Sequence, residues 1–271
     1  MSDFYGLIGK KLGHSFSPII HKLILQKLNI KGEYNLFEIE PHNLDKSIEA
    51  LKILGCRGAN VTIPYKIDVM NYMNDISEEA KNIGAINTIE FKEDSLKGYN
   101  TDYYGFGLTL KKNGIDVLNK NVVILGTGGA SKAVVRYILD KGGKNITYVS
   151  RHPENFDKNK FEVISYEKLD EIKNGDIVVN CTPCGMHPNL NDCPMNKKTL
   201  AKFNTAVDLI YNPEYTLFLK MGEKIGLKIA NGLYMLVAQA AASEEIWQQR
   251  KISLEIVDEI YDELIRIEYS K

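Results

Sequence analysis

The segment Asn60-Val61-Thr62-Ile63-Pro64-Tyr65-Lys66 places an amide, a hydroxyl and an ammonium around a proline. Proline fixes its own φ and lacks a backbone donor, so the strand that opens this segment is expected to end there. Lys66 is thereby set at a strand tip, where α/β proteins hold their ligands. An ammonium in that position can polarise a carbonyl oxygen or give it a proton. Further along, Gly126-Thr127-Gly128-Gly129-Ala130-Ser131-Lys132-Ala133 follows the apolar run Val122-Val123-Ile124-Leu125. Its glycines permit a tight turn and close backbone approach, so that a helix N-terminus can face a diphosphate. A glycine turn alone needs no ligand, but strand, turn, helix and second strand occur here in order. Together the two segments suggest a ketone and a nucleotide reductant.

The tip of the next strand separates the cofactors. A site for NAD wants Asp or Glu there to accept from the ribose hydroxyls. This chain has Ser150-Arg151-His152, with no acid before Glu154. The planar guanidinium of Arg151 suits a 2′-phosphate, which favours NADP. Near the start, Gly13-His14-Ser15-Phe16-Ser17-Pro18 sets two hydroxyls at a helix start, an arrangement that suits a carboxylate. Ser17 before Pro18 reads equally as a plain N-cap, which leaves Ser15 as the informative serine. His14 beside a serine does not make a hydrolase, because the chain has no Gly-x-Ser-x-Gly elbow. Asp102 either caps the helix that follows it or serves a ligand beside Lys66, and spacing leaves both open. Asn87 enters an apolar strand, where its amide requires partners.

These residues are positioned by alternating strands and helices. Strands are expected at Phe4–Gly9, Glu33–Phe37, Gly58–Thr62 and Asn87–Phe91. Helices are expected from Pro18, near Leu44–Leu54, and in shorter form at Lys66–Tyr72 and Ser77–Ile83. The inward faces are Ile20, Leu23, Ile24 and Leu28 on the first helix, and Ile48, Leu51 and Leu54 on the second. Such alternation predicts a mostly parallel sheet. After Asp102 a second unit repeats the beat: helix Tyr104–Lys112, strand Val122–Leu125, helix Gly129–Asp140, and strands Ile146–Ser150, Ile177–Asn180 and Thr205–Leu209. With helix Leu217–Lys224 it reads as a doubly wound nucleotide domain. Helices Leu233–Gln248 and Ile252–Ile267 close the chain, the last with a stripe of Ile256, Ile260 and Leu264. Helical endings of this kind pack back on a first domain and make it discontinuous.

Composition narrows the class. The chain has 271 residues, 44% hydrophobic and 25% charged, with a net charge of −1. That is ordinary for a globular protein and gives no electrostatic case for nucleic acid. The apolar stretch Leu233–Ala242 is broken by Gln239 and too short to span a bilayer, and no leader pattern opens the chain, so a cytoplasmic enzyme is expected. Cys181, Cys184, His187 and Cys193 invite a zinc reading, but their spacing fits no common module and no metal is expected.

The motifs, in this order and over nearly the whole chain, resemble those of the shikimate and quinate dehydrogenases. They are His14-Ser15-Phe16-Ser17-Pro18, Asn60 to Lys66, Gly84 to Thr88, Asn100-Thr101-Asp102, the glycine loop, Asn180 to Met186, Asp208 to Pro213 and Asn231 to Ala240. The resemblance implies two α/β domains: a substrate domain of residues 1–103 plus 237–271 and a Rossmann-like nucleotide domain of 104–236. It implies Lys66 and Asp102 as the catalytic pair, and Ser15, Ser17, Asn60, Thr62, Asn87, Tyr211 and Gln239 as further substrate residues. For NADP it implies Gly126, Thr127, Gly128, Gly129, Ala130, Ser150, Arg151, Thr182, Gly232 and Met235. The implied reaction is NADP-dependent reduction of 3-dehydroshikimate to shikimate by a monomer or homodimer.

The chain departs from the family pattern where Asn155 replaces a second basic residue near the phosphate, with Lys158 as a substitute candidate. NADP preference is therefore expected to be weaker, with NAD tolerated. Tyr65 replaces a phenylalanine and Tyr103 a glycine. The alternatives are a quinate/shikimate dehydrogenase on the same fold, and a non-catalytic NADP-binding sensor. A sensor would need neither Lys66 nor Asp102.

Overall fold

The computed structural model describes residues 3–13, 15–156 and 161–269. His14 and Lys158 lie outside the described residues. The chain divides into two compact units, one of Met1–Gly105 with Leu236–Lys271 and the other of Phe106–Met235.

The first unit is built on β1 (Asp3–Gly9), α1 (Ser17–Lys27), β2 (Gly32–Glu38), α2 (Leu44–Ile53), β3 (Gly58–Val61), β4 (Asp75–Ile76), α3 (Glu78–Ile83), β5 (Thr88–Phe91) and β6 (Leu96–Tyr99). Its sheet has the order β2-β1-β3-β5-β6-β4. Three neighbour pairs are parallel, but β3–β5 and β5–β6 are antiparallel. The expected parallel character thus gives way at a hairpin, because only a short turn separates Phe91 from Leu96 and leaves no room for a crossover helix. The reversal matters for function. It brings the start of β5 to the edge where β3 and β6 end, with Asn60 opposite Thr88 and Thr88 opposite Tyr99.

Local chemistry sets several boundaries. α1 begins at Ser17 itself, and no side chain caps it, so Ser17 is not the N-cap. The Ser15 hydroxyl instead accepts from the Ser17 N–H at 3.3 Å. Its buried face is Ile20, His21, Ile24 and Leu25, with the imidazole wholly enclosed. On α2 the inward set is Leu44, Ile48 and Leu51, whereas Leu54 follows the last turn and is 70% exposed. The segment Asp68–Tyr72 is a 3₁₀ turn, and Ser77 caps α3 by accepting from the Ala80 N–H.

The second unit holds an all-parallel sheet of β7 (Asn121–Leu125), β8 (Asn145–Ser150), β9 (Glu162–Ser165), β10 (Ile177–Asn180), β11 (Thr205–Asp208) and β12 (Lys228–Ala230). The order β12-β11-β10-β7-β8-β9 is that of a Rossmann fold, and it reverses between β7 and β10. α5 (Gly129–Asp140), α6 (Lys197–Leu200) and α7 (Leu217–Lys224) connect its strands. The near-continuous apolar strands Val122–Leu125 and Ile177–Val179 are buried, as a sheet covered on both faces requires. β9 and β12 are short, and the sequence reading passed over both.

α4 (Asp102–Lys112) and α8 (Leu233–Gln248) each contain a point at which the chain passes from one unit to the other. Within the first unit, α8 donates the Trp247 indole N–H to the Ile89 carbonyl at 3.0 Å. The ring occupies the space a side chain at Gly58 would need, since a Cβ there would lie 2.2 Å from it. α9 (Leu254–Glu268) buries Ile260 and Leu264 as expected, with Val257 rather than Ile256 as the third buried position, and packs on α1.

Candidate active site

In the first unit, the site grows from the ends of β3 and β6. β3 stops at Val61 and the chain turns through Pro64, with the Tyr65 N–H bonded to the Thr62 carbonyl at 2.9 Å. The Tyr65 ring is buried, its hydroxyl donating to the Ile39 carbonyl, which anchors the turn beside Lys66. The Lys66 carbonyl accepts from the Ile86 N–H at 2.7 Å, so this backbone is held from both sides. Across the edge, Asn100 at the end of β6 accepts the Asp102 N–H at 3.1 Å and donates to the Ala85 carbonyl. Asn100 thus satisfies the start of α4, and the Asp102 carboxylate is left for other work.

That carboxylate meets Lys66. Lys66 Nζ donates to Asp102 Oδ2 at 2.5 Å, with the two side chains 13% and 6% exposed. Asn87 Nδ2 donates to the other oxygen, Oδ1, at 2.9 Å. The amide of Asn87 is oriented by what its oxygen receives, the Thr101 N–H at 2.7 Å and the Thr88 hydroxyl at 3.0 Å. Its nitrogen must therefore face Asp102, and it also reaches Gln239 Oε1 at 3.3 Å. The result is a lysine whose ammonium is aimed by a fixed carboxylate while retaining partial access to solvent.

Asn60 lies deeper, 4% exposed. Its Nδ2 donates to Ser243 at 2.8 Å and Thr88 at 3.1 Å, and its Oδ1 accepts from the Tyr34 hydroxyl at 2.8 Å. The structure thus gathers Asn60, Lys66, Asn87, Asp102 and Gln239 into one polar network. Tyr34, Thr88, Thr101 and Ser243 are also members of it, though none is among the expected site residues. Thr88 and Thr101 stand within two of the family motifs, whereas nothing in the local sequence of Tyr34 or Ser243 marks them, since they enter through strand pairing and through α8. Thr62 is half-buried at the end of β3, and Ser15 half-buried before α1.

In the second unit, the nucleotide candidates line the carboxyl edge of the sheet. Gly126 ends β7 at φ +93°, a conformation natural to glycine, and a Cβ there would lie 2.7 Å from the Thr182 methyl. Thr127 and Gly128 follow, and a Cβ on Gly128 would meet nothing within 4 Å. α5 then opens at Gly129 and Ala130, its first N–H groups lacking any side-chain cap, and Ser131 donates to the Gly128 carbonyl at 2.7 Å. Ser150 ends β8 buried, its hydroxyl accepting from the His152 N–H at 3.0 Å, and Arg151 extends exposed beside it. Asn155, at the place of the missing second cation, is exposed. Gly232 follows β12 where a Cβ would lie 2.0 Å from the Leu209 carbonyl oxygen, so only glycine fits. Tyr211 is half-buried after β11, while Met235 packs into the core of this unit. A diphosphate-linked dinucleotide fits this edge: uncapped N–H groups, a glycine turn with open space before it, and one exposed guanidinium.

Asp208 ties β10 and β11 together at this edge. Its carboxylate accepts from Asn180 at 3.0 Å, the Ile210 N–H at 3.1 Å and the Thr216 hydroxyl at 2.7 Å. Burial pushes its carboxyl up to about 7, against these three donors, which favour the ionised form. Asn180 in turn accepts the Thr182 hydroxyl at 2.6 Å. The cysteines are not thiolates here, since burial raises Cys181 strongly and takes Cys184 up to about 11.

A Rossmann-ordered sheet with this edge, in one chain with a lysine–aspartate pair at the edge of a second α/β sheet, defines a pyridine-nucleotide oxidoreductase. The model of the shikimate dehydrogenase substrate binding domain matches residues 7–89. The chain is 49% identical to a shikimate dehydrogenase (NADP(+)) of Clostridium beijerinckii over 96% of its own length and 97% of that protein. The chain belongs to the shikimate dehydrogenase family. Its fold matches a chorismate mutase/shikimate 5-dehydrogenase fusion protein from Clostridium acetobutylicum at 51% identity and TM-score 0.93, covering 97% of each chain. It also matches the Thermus thermophilus shikimate 5-dehydrogenase in complex with NADP(H) and shikimate, at 28% identity and TM-score 0.85, over 96% of this chain and 99% of that one.

Proposed function

We propose that this chain catalyses the reversible, NADP-dependent reduction of 3-dehydroshikimate to shikimate, a step of aromatic amino acid biosynthesis, in the cytoplasm. Residues 1–103 with 237–271 bind the substrate, and residues 104–236 bind NADP. The observation that carries this reading is the Lys66–Asp102 pair at 2.5 Å, held by Asn87 in a chain of this family.

When bound, NADPH supplies the hydride. The chain's own residues manage the charge and the proton. As the ring ketone is reduced, negative charge grows on its oxygen, and the Lys66 ammonium stabilises it and delivers a proton from Nζ. Asp102 keeps that ammonium aimed, and accepts a neighbouring ring hydroxyl. In the oxidative direction the same pair removes the hydroxyl proton. Ser15 and Ser17 seat the substrate carboxylate, while Asn60, Thr62, Asn87, Tyr211 and Gln239 read the ring hydroxyls. The glycine turn, with Thr127, Ala130 and Thr182, receives the diphosphate, and Ser150 and Arg151 receive the 2′-phosphate. Gly232 and Met235 adjoin the nicotinamide.

A substrate panel tests the assignment. Oxidation of shikimate and of quinate is followed by absorbance with NADP and then NAD. Higher kcat/KM for shikimate with NADP is expected. Preference for quinate would move the chain to the quinate-acting branch of the family.

A further inference from the structure

His21 and Glu244 form a buried hydrogen-bonded pair that the reaction above does not use. They lie 223 residues apart in sequence, with Nδ1 and Oε1 at 2.7 Å and both side chains 0% exposed. The second oxygen of Glu244 accepts from Gln248 at 2.9 Å, while His21 Nε2 has no hydrogen-bond partner among the described residues. Burying two such polar groups is costly unless they are hydrogen-bonded to each other, as these are. The imidazole does, however, hold a ring. Its face stacks on Tyr34 at 3.9 Å between centroids and 9° between planes.

The Tyr34 ring packs in an apolar cluster with Tyr5, Leu7, Leu12 and Leu25, and its phenol donates to Asn60 Oδ1 at 2.8 Å. One buried hydroxyl therefore ends on a residue proposed to read the substrate ring. Donation to Oδ1 also decides which way the Asn60 amide faces, so its nitrogen turns to Ser243 and Thr88. Those two hydroxyls contact Thr101, which contacts Asn87.

Resting on the proposed function, we propose that Tyr34 is a positioning residue for the substrate, and that the His21–Glu244 pair fixes its ring. The phenol fixes the orientation of the ring-reading amide at Asn60. Neither partner in the pair touches substrate in this account.

Steady-state kinetics of Tyr34→Phe test the role, since the ring and its stacking are kept and only the hydroxyl is lost. The KM for shikimate is expected to rise about tenfold, with kcat changed less than about threefold and the KM for NADP within about twofold. In Asn60→Ala/Tyr34→Phe the rise should fall short of the product of the single effects, because both act through one contact. Glu244→Ala should raise the shikimate KM severalfold, and Glu244→Gln, which still accepts from His21, should restore it. A shikimate KM within about twofold of wild type in Tyr34→Phe overturns the proposal, as do multiplicative effects in the double variant or equal rises in both KM values. If Tyr34→Phe does not fold, the Glu244→Ala and Glu244→Gln comparison decides alone: equal KM values in those two overturn it. Absence of wild-type turnover would remove the enzymatic reading and this role with it. Wild-type turnover with an unchanged Tyr34→Phe removes the role only.

Discussion

Replacing Lys66 by alanine removes the ammonium and leaves the rest of the network in place. Asp102 keeps its Asn87 donor at 2.9 Å, and Asn87 keeps its own orienting contacts to Thr101 and Thr88. Substrate residues on α1 and α8 are not in contact with the removed group, so the KM for shikimate should change little. A positioned general acid contributes about a hundredfold or more, so kcat should fall at least that far, equivalent to about 2.7 kcal/mol of barrier. The stability change can be bounded separately. Breaking a fully buried pair costs roughly 3–5 kcal/mol. Lys66 is 13% exposed and Asp102 retains one donor, so about 1–3 kcal/mol is expected, a fall of a few degrees in Tm. The assay is steady-state oxidation of shikimate at saturating NADP, with a melting curve on the same preparation. Turnover within about threefold of wild type in a folded variant would refute the role of lysine.

Three further outcomes follow from the second unit. Arg151→Ala should lower kcat/KM with NADP by roughly tenfold or more and leave that with NAD nearly unchanged; a constant ratio of the two cofactors would show that Arg151 does not meet the phosphate. Gly232→Ala places a Cβ 2.0 Å from the Leu209 carbonyl oxygen, which is backbone and cannot swing away. It should cost about 1–3 kcal/mol and lower Tm by several degrees in calorimetry, whereas an unchanged Tm would contradict that close approach. Asp208 titrates near 7 in the folded chain against an ordinary 3.8. Because the folded value is raised, its protonated form favours the native state below the lower value. That favour, at most about 4 kcal/mol, is lost as pH rises through about 7. Asp208→Asn should therefore flatten the decline in Tm between about pH 4 and 7, and a wild-type slope in the variant would show that another group titrates.

Much of this was legible in the sequence because the strongest signals are local. The apolar runs Val122–Leu125 and Ile177–Asn180, the glycine turn and the helix Gly129–Asp140 stand in the structure where their patterns place them. Pairing is different. The antiparallel return of β5 and β6 brings Asn87 to Asp102, and the register behind it is set by side-chain packing that no spacing reveals. β12 has three residues and β4 two, too few to show a period. Spacing could not place the Asp102 carboxylate, whereas in the structure Asn100 takes the Asp102 N–H and the carboxylate meets Lys66 and Asn87. His21 carries no signal within its own helix, because its partner comes from the far end of the chain. Ser17 misled for a related reason: a serine before proline is commonly a cap, yet here it is already inside the helix.

The most direct measurement adds shikimate to the purified chain with NADP and follows formation of NADPH, alongside cofactor binding by fluorescence. The account predicts turnover that requires both compounds and is lost in Lys66→Ala while NADP still binds. Binding of NADP without any turnover of shikimate would contradict it and leave a nucleotide sensor on an enzyme's fold.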